Sequence, residues 1–312
     1  MSQAIHIIFC VEAGLLENQA DLLTRSVGKF LAGQDYALYA YAPRPNYQPS
    51  EQTVQFLEGA GVTVIKEQLN QHFLDYPIAN KLLACRHFEQ TFPNLKNRMF
   101  LDTDTVFLNA LADKYFEDKN CLFLRPVDNK GPGTEGVDDS NDQFWQRVFE
   151  LCQVPLCAPS MWTTVRQKQI RNYFNAGLVW VNGIEGFYQQ WYKDFMTIVD
   201  SKLRPFGYQS RDGDDFRCLD QVALAVTASR YHKHLQILPV TFNYPIPFKP
   251  IMQNSQSHPQ LDELIHVHYH KWFQHPDFLD HVTSEEEKNT DQYRWLQSHL
   301  PLKPEISGPF KC

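Results

Sequence analysis

The chain has 312 residues, 43 % of them hydrophobic and 21 % charged, the balance of a globular protein with enough length for a substantial core. Its net charge of −7 excludes the broad basic face that general nucleic-acid binding requires, so no nucleic-acid partner is expected. An aromatic share of 13 % suits sugar or nucleobase contacts, although core filling takes most aromatic side chains.

The first residues, Met1-Ser2-Gln3-Ala4, carry no basic leader, and the apolar run Ile5 to Cys10 is too short for a signal peptide or a transmembrane segment. The seven cysteines form no CxxC pair, so reduced thiols in a cytoplasmic protein are expected. In chain order, residues 4–11 form a buried strand. Residues 17–32 form an amphipathic helix with Ala20, Leu23, Val27, Phe30 and Leu31 on one side. A strand at 36–42 is closed by Pro43 and Pro45, a helix at 50–59 ends at Gly59 or Gly61, and 62–65 is a short strand. A helix at 78–90 leads to a strand at 99–101 that ends in charged residues. This alternation predicts an α/β fold, a mostly parallel central sheet with helices on both faces, in which ligands bind at the carboxyl ends of the strands.

The second half is less regular. Residues 125–143, with Gly131, Gly133, Gly136 and aspartates Asp128, Asp138, Asp139 and Asp142, read as a mobile loop. Helices are expected at 144–152, 187–199 and 219–229, strands at 173–182 and 263–273, and a second polar loop at 204–217. The tail after Pro301 reads as a surface strap. No linker interrupts the rest, which gives one domain over 1–300 and a tail over 301–312.

The most informative segment is Arg98 to Leu108, where an apolar strand delivers Asp102, Thr103 and Asp104 and an apolar strand resumes. Alternate residues of an extended chain point the same way, so Asp102 and Asp104 can grip one divalent cation, Mn²⁺ or Mg²⁺, that also bridges phosphate oxygens. Such an ion neutralises a departing diphosphate. Further segments follow in order: Asn80-Lys81-Leu82 on the preceding helix, then Phe174-Asn175-Ala176-Gly177 entering a strand. Asn175 can pair with sugar hydroxyls, and Gly177 permits close approach of backbone and ligand. Asp220 and Gln221 start a helix, where a carboxylate favours the dipole. Alternation puts His266, His268 and His270 on one face of a late strand.

The segment Phe100-Leu101-Asp102-Thr103-Asp104-Thr105-Val106 resembles the DxD motif of GT-A-fold glycosyltransferases, and is especially similar to family 8, the retaining, glycogenin-like enzymes. The match covers most of residues 4–273 as an ordered set of short motifs, with long inserts at 125–170 and 200–217 that point to a distinct related family. The resemblance implies a GT-A-type, Rossmann-like α/β/α sandwich. It implies transfer of a sugar from a nucleotide-diphosphate sugar, a UDP-sugar, to an acceptor hydroxyl on a small molecule, glycan, lipid or peptide, with retention. Residues 1–108 would form the nucleotide-binding half and 109–300 the donor-sugar and acceptor half. Carried over, Asp102 meets ribose and metal, Asp104 meets the metal, and Lys81 approaches the diphosphate or sugar. Asn175, Ala176, Gly177, Asp220 and Gln221 surround the donor sugar. The third metal ligand falls on His268 or His270. The family's His-x-x-Gly-x-x-Lys-Pro-Trp is only partly matched, since Lys271-Trp272 follows too soon, and Lys271 would bind the diphosphate. By fold position, Val11 and Glu12 lie near the base or ribose.

Two rivals compete. Leu101 to Val106 also resembles the DxDxT strand of haloacid-dehalogenase phosphatases, with Asp102 as nucleophile, Asp104 as acid and Asp214-Asp215 as the later pair. The other rival is a non-catalytic nucleotide-sugar-binding protein on a transferase scaffold.

Overall fold

The computed structural model describes residues 4–117, 119–208, 215–252 and 258–306. The first half alternates as the hydrophobic pattern requires. It runs β1 (Ile5–Cys10), α1 (Leu15–Phe30), β2 (Tyr36–Tyr41), α2 (Glu51–Gly59), β3 (Val62–Ile65), α3 (Ala79–Thr91), β4 (Asn97–Leu101) and β5 (Thr105–Phe107). The second half continues with α4 (Lys114–Glu117), β6 (Cys121–Leu124), α5 (Asp142–Leu151), the small hairpin β7 (Met161–Trp162) and β8 (Gln169–Ile170), and β9 (Leu178–Asn182). Then come α6 (Phe187–Ser201), α7 (Leu219–Arg230), β10 (Leu235–Ile237), β11 (Tyr244–Pro245), β12 (His266–His268), α8 (Phe278–Val282) and α9 (Asp291–His299).

Seven strands form the central sheet in the order β10-β6-β9-β4-β1-β2-β3. The pairings β1–β2, β1–β4, β2–β3 and β6–β10 are parallel, whereas β9 runs antiparallel to both of its neighbours. Side-chain alternation divides this sheet between two cores. Ile8 of β1 and Val179 and Val181 of β9 face α3, α5, α6 and α7, while Ile7, Phe9, Leu178 and Trp180 join α1 and α2 on the other face. The expected α/β/α sandwich with a mostly parallel sheet is what the chain forms. On α1, Ala20, Leu23 and Val27 are fully buried and Phe30 is partly so, and Leu31 at its C-terminal cap is fully buried.

Three departures matter for function. The apolar run after Asp104 does not rejoin the main sheet: β5 pairs antiparallel with β12 in a separate three-stranded sheet, β11-β12-β5, over a third core with α8 and α9. The strand expected at 173–182 begins only at Leu178, because Asn175 Oδ1 takes the Gly177 N–H at 2.7 Å and removes it from any ladder. The strand expected at 263–273 is only His266–His268, since His270 adopts a left-handed backbone (φ 52°) that turns the chain.

The segment 125–143 makes several side-chain contacts with itself and the body. The Trp145 indole donates to Pro132 O at 2.8 Å, Lys130 pairs with Asp139 at 2.6 Å, and Asp142 holds Arg171 at 2.8 Å. Of the second polar loop, residues 209–214 lie outside the described residues, as do residues 307–312 of the tail. The described part of the tail straps onto the body through Leu302 N–H to Phe273 O (2.7 Å) and Asn18 to Lys303 O (2.8 Å). No helix among the described residues is long and apolar enough to cross a membrane.

Candidate active site

A cleft of about 620 Å³ opens at the carboxyl ends of β1 and β4, within the range of about 300–1,000 Å³ usual for ligand pockets. Its floor is the turn between β4 and β5. Asp102 N–H extends the β4–β9 ladder by donating to Gly177 O at 2.9 Å, and Thr105 Oγ1 donates to Asp102 O at 2.6 Å, closing the turn. The chain then leaves the main sheet as β5. Because β5 pairs with β12, with Thr105 opposite His268, Asp104 is carried to the histidines. Tyr269 N–H donates to Asp104 O at 3.0 Å and fixes that register.

The result is a compact donor set. His268 Nε2 lies 3.2 Å from Asp104 Oδ1 and His270 Nδ1 lies 3.9 Å from Asp104 Oδ2. One ligand atom from each of Asp104, His268 and His270 falls within 4.8 Å of the others, a spacing that fits a single divalent cation bound by carboxylate and imidazole. The Nδ1 of His268 is buried without a partner, so this imidazole is placed by what its Nε2 faces and by packing. His266 goes elsewhere. It is fully buried, edge-on to Phe107 at 4.9 Å, and burial lowers its pKa to about 3, so it stays neutral in the core.

Asp102 is engaged differently. Lys81, at the third position of α3, approaches both carboxylate oxygens, 2.9 Å from Oδ1 and 3.0 Å from Oδ2. The same ammonium lies 3.6 Å from Asp220 Oδ2 and 3.4 Å from Ala176 O. A cation in the first turn of a helix opposes the helix dipole. Two carboxylates offset that cost here, and they explain how Lys81 tolerates being only 8 % exposed. Desolvation works against the charged lysine, but Asp102 and Asp220 outweigh it and raise its pKa. Asp220 sits in the first turn of α7, where its charge suits the dipole, and accepts from Tyr76 OH at 3.3 Å.

The histidines and carboxylates shift one another. Burial alone would disfavour a charged His268, yet Asp104 raises its pKa to about 9. In return, against the pull of burial, His268 holds Asp104 well below the usual carboxylate range, while burial raises Asp102. Burial and the His268 charge lower His270 to about 3.

The sugar-side residues meet the same cleft. Asn175 donates from Nδ2 to Asp128 Oδ2 at 3.3 Å, and Ala176, Gly177, Thr103 and Gln221 line the cavity. Glu12 lines the rim, but its carboxylate is held by Arg44 (2.7 and 2.5 Å) and by Asn80 (2.8 Å). Val11 is fully buried and gives its N–H to Tyr41 O at 2.8 Å, so its amide is not offered to a ligand. Lys271 is exposed over the Trp272 ring and does not line the cleft. Trp145 and Trp191 are core, and Trp162 is 54 % exposed on the small hairpin.

Two further charged residues, Asp128 and Arg217, stand at the site without a sequence motif to mark them. Arg217 lines the cleft and clasps Asp215, with Arg217 Nη2 2.5 Å from Asp215 Oδ2. Asp128 is 8 % exposed, and burial raises its pKa to about 6. In the sequence it carries no signal of its own, because β6 before it is only four residues long and Asp128 is one of four aspartates in the loop. In haloacid-dehalogenase phosphatases the strand that leads into DxDxT opens the domain, whereas here β4 leads into Asp102-Thr103-Asp104-Thr105. That strand is the fourth in the chain and lies mid-sheet, and the partner pair includes Asp214, outside the described residues.

The family model of the Rhodobacterales glycosyltransferase domain matches residues 7–232. No curated protein matches the chain. Among solved structures, the apo form of the bifunctional glycosyltransferase WbbM is 11 % identical at TM-score 0.54, covering 96 % of this chain. This chain spans about half of that protein, 52 % of its length. An active-site mutant of LgtC is 12 % identical at TM-score 0.50, with 96 % of this chain and 98 % of that one covered. A complex of the galactosyltransferase LgtC with donor and acceptor sugar analogues is 13 % identical at TM-score 0.49 over the same shares.

Proposed function

This chain belongs to the Rhodobacterales glycosyltransferase domain family and is a glycosyltransferase, and we propose that it takes its sugar from a nucleotide-diphosphate sugar, a UDP-sugar, at a site that uses Mn²⁺ or Mg²⁺. The observation that carries this reading is the convergence, in one cleft, of a buried lysine between two carboxylates and a carboxylate–imidazole trio. A diphosphate ester needs positive charge at the leaving oxygen and an oriented sugar at the anomeric carbon. Both kinds of group are present.

The roles follow from placement. A cation held by Asp104, His268 and His270, with Asp102 beside them, would neutralise charge on the leaving diphosphate. Lys81 adds a fixed positive charge whose position is set by Asp102 and Asp220, so little reorganisation is needed as charge develops. Asp220 and Gln221 orient the donor sugar, and the Asp220 carboxylate stabilises oxocarbenium-like charge at its anomeric carbon. Asn175 is locked at both ends of its amide by Asp128 and Gly177, which makes it a preorganised contact for a sugar hydroxyl. The acceptor hydroxyl enters on the face of departure, assisted by the leaving phosphate, with retention. The base lies toward Glu12 on the first half of the fold, residues 1–108, and the sugar and acceptor toward 109–300.

The test is a thermal-shift panel of UDP-, GDP-, CMP- and dTDP-sugars with and without Mn²⁺ or Mg²⁺. A ligand that binds only the native state at a hundredfold excess over its Kd stabilises by about 2.7 kcal/mol. A cation-dependent shift with UDP-sugars that disappears in Asp104→Ala is the expected result. Equal shifts with and without cation would remove the metal from this reading.

A further inference from the structure

His270 stands where its imidazole is flanked by two different carboxylates. Nδ1 lies 3.9 Å from Asp104 Oδ2, and Nε2 lies 3.9 Å from Asp128 Oδ2, each ion-pair rather than hydrogen-bond distance. The ring is fenced by His268, 4.1 Å away between ring centroids, and by the edge of Phe248 at 6.0 Å. Its backbone is left-handed, which projects the side chain back into the cleft after β12 ends. A neutral imidazole has one N–H and one lone pair. If the lone pair is to face the trio, the N–H must face Asp128.

We propose that Asp128 is a positioning residue that holds His270 in the Nε2–H tautomer, leaving Nδ1 as the ligand atom. The two histidines then present opposite nitrogens: His268 offers Nε2, and its Nδ1 is buried without a partner, whereas His270 offers Nδ1 and has a carboxylate behind it. Carboxylates behind ligating histidines fix ring orientation and strengthen binding, and their loss costs 10- to 100-fold in affinity. Asp128 also accepts from Asn175 Nδ2 at 3.3 Å, so one buried carboxylate joins the ion site to the sugar-side amide. This inference rests on the proposed metal-dependent reading.

The experiment is titration of the purified protein with Mn²⁺ alone, followed by electron paramagnetic resonance of the free ion. It compares the wild type, Asp128→Asn, His270→Ala, the double variant, and the exposed control Asp138→Asn. Asp128→Asn is expected to bind Mn²⁺ 10- to 100-fold more weakly than wild type and Asp138→Asn within twofold. In the His270→Ala background, Asp128→Asn is expected to cause less than a twofold further loss. Wild-type binding that Asp128→Asn leaves within twofold overturns this inference while sparing the metal reading, as does a full additional loss in the His270→Ala background. No Mn²⁺ binding by the wild type overturns both. A measurement that needs no variant is ¹⁵N NMR of the histidine rings in the Mg²⁺-loaded protein: His270 protonated at Nε2 supports the assignment, and protonation at Nδ1 overturns it.

Discussion

A methyl group placed on Gly177 would lie 2.8 Å from Cε1 and 2.9 Å from Nδ1 of His268. The imidazole therefore packs directly on the backbone at Gly177, and the absence of a side chain there sets where His268 stands. The glycine reserves space; it is not needed for an unusual backbone angle. Gly177→Ala is expected to displace His268 and weaken Mn²⁺ binding by at least tenfold while the fold is retained. Circular dichroism together with an Mn²⁺ titration checks it, and unchanged affinity would show that the ring can yield.

Asp102 and Asp104 are not equivalent, although they share one short motif. Asp104 faces both histidines, whereas Asp102 is clasped by Lys81. Asp104→Asn is expected to abolish the Mn²⁺-dependent thermal shift. Asp102→Asn is expected to lower turnover by more than a hundredfold with a smaller loss of Mn²⁺ affinity. Equal losses in the two variants would place both carboxylates on the ion.

Lys81 compensates Asp220, which is 2 % exposed. Removing one partner of a buried ion pair leaves the other charge uncompensated, a loss of about 3–5 kcal/mol in well-buried cases. Asp102 is partly solvated, so the lower end applies. Lys81→Met is expected to cost about 3 kcal/mol in urea unfolding and to reduce kcat. Asp220→Asn removes one charge of the Lys81, Asp102 and Asp220 cluster and is expected to cost less stability with a comparable loss of kcat.

Glu17 offers a pH test away from the cleft. One carboxylate oxygen accepts from Gly14 N–H (2.8 Å), and the other from Ser50 N–H (2.6 Å) and Thr53 Oγ1 (2.8 Å), pinning the starts of α1 and α2 together. Desolvation would raise its pKa, but these bonds lower it to about 2. A depressed folded-state pKa gives stability that is present above the ordinary glutamate value near 4.5 and lost as pH falls through 2. After allowance for solvent screening, Glu17→Gln is expected to cost about 1–2 kcal/mol at pH 7 and to flatten the stability profile between about pH 5 and pH 2. A parallel profile for the two proteins would deny Glu17 this role.

The alternating α/β layers, the strand that ends just before Asp102, and the helices that carry Lys81 and Asp220 are legible in the chain alone. These are local properties, since apolar periodicity and the charge that interrupts it are fixed by neighbours in the chain. The His266-Val267-His268 strand was legible too, but its partner was not. Tertiary structure decided that β5 leaves the main sheet for β12, which joins Asp104 to His268 and His270. It also decided that His266 turns into the core, that Lys81 stands between Asp102 and Asp220, and that Val11 and Lys271 do not meet the cleft. Strand pairing and burial depend on residues far apart in the chain, and a carboxylate such as Asp128 acquires its chemistry from the side chains that close around it.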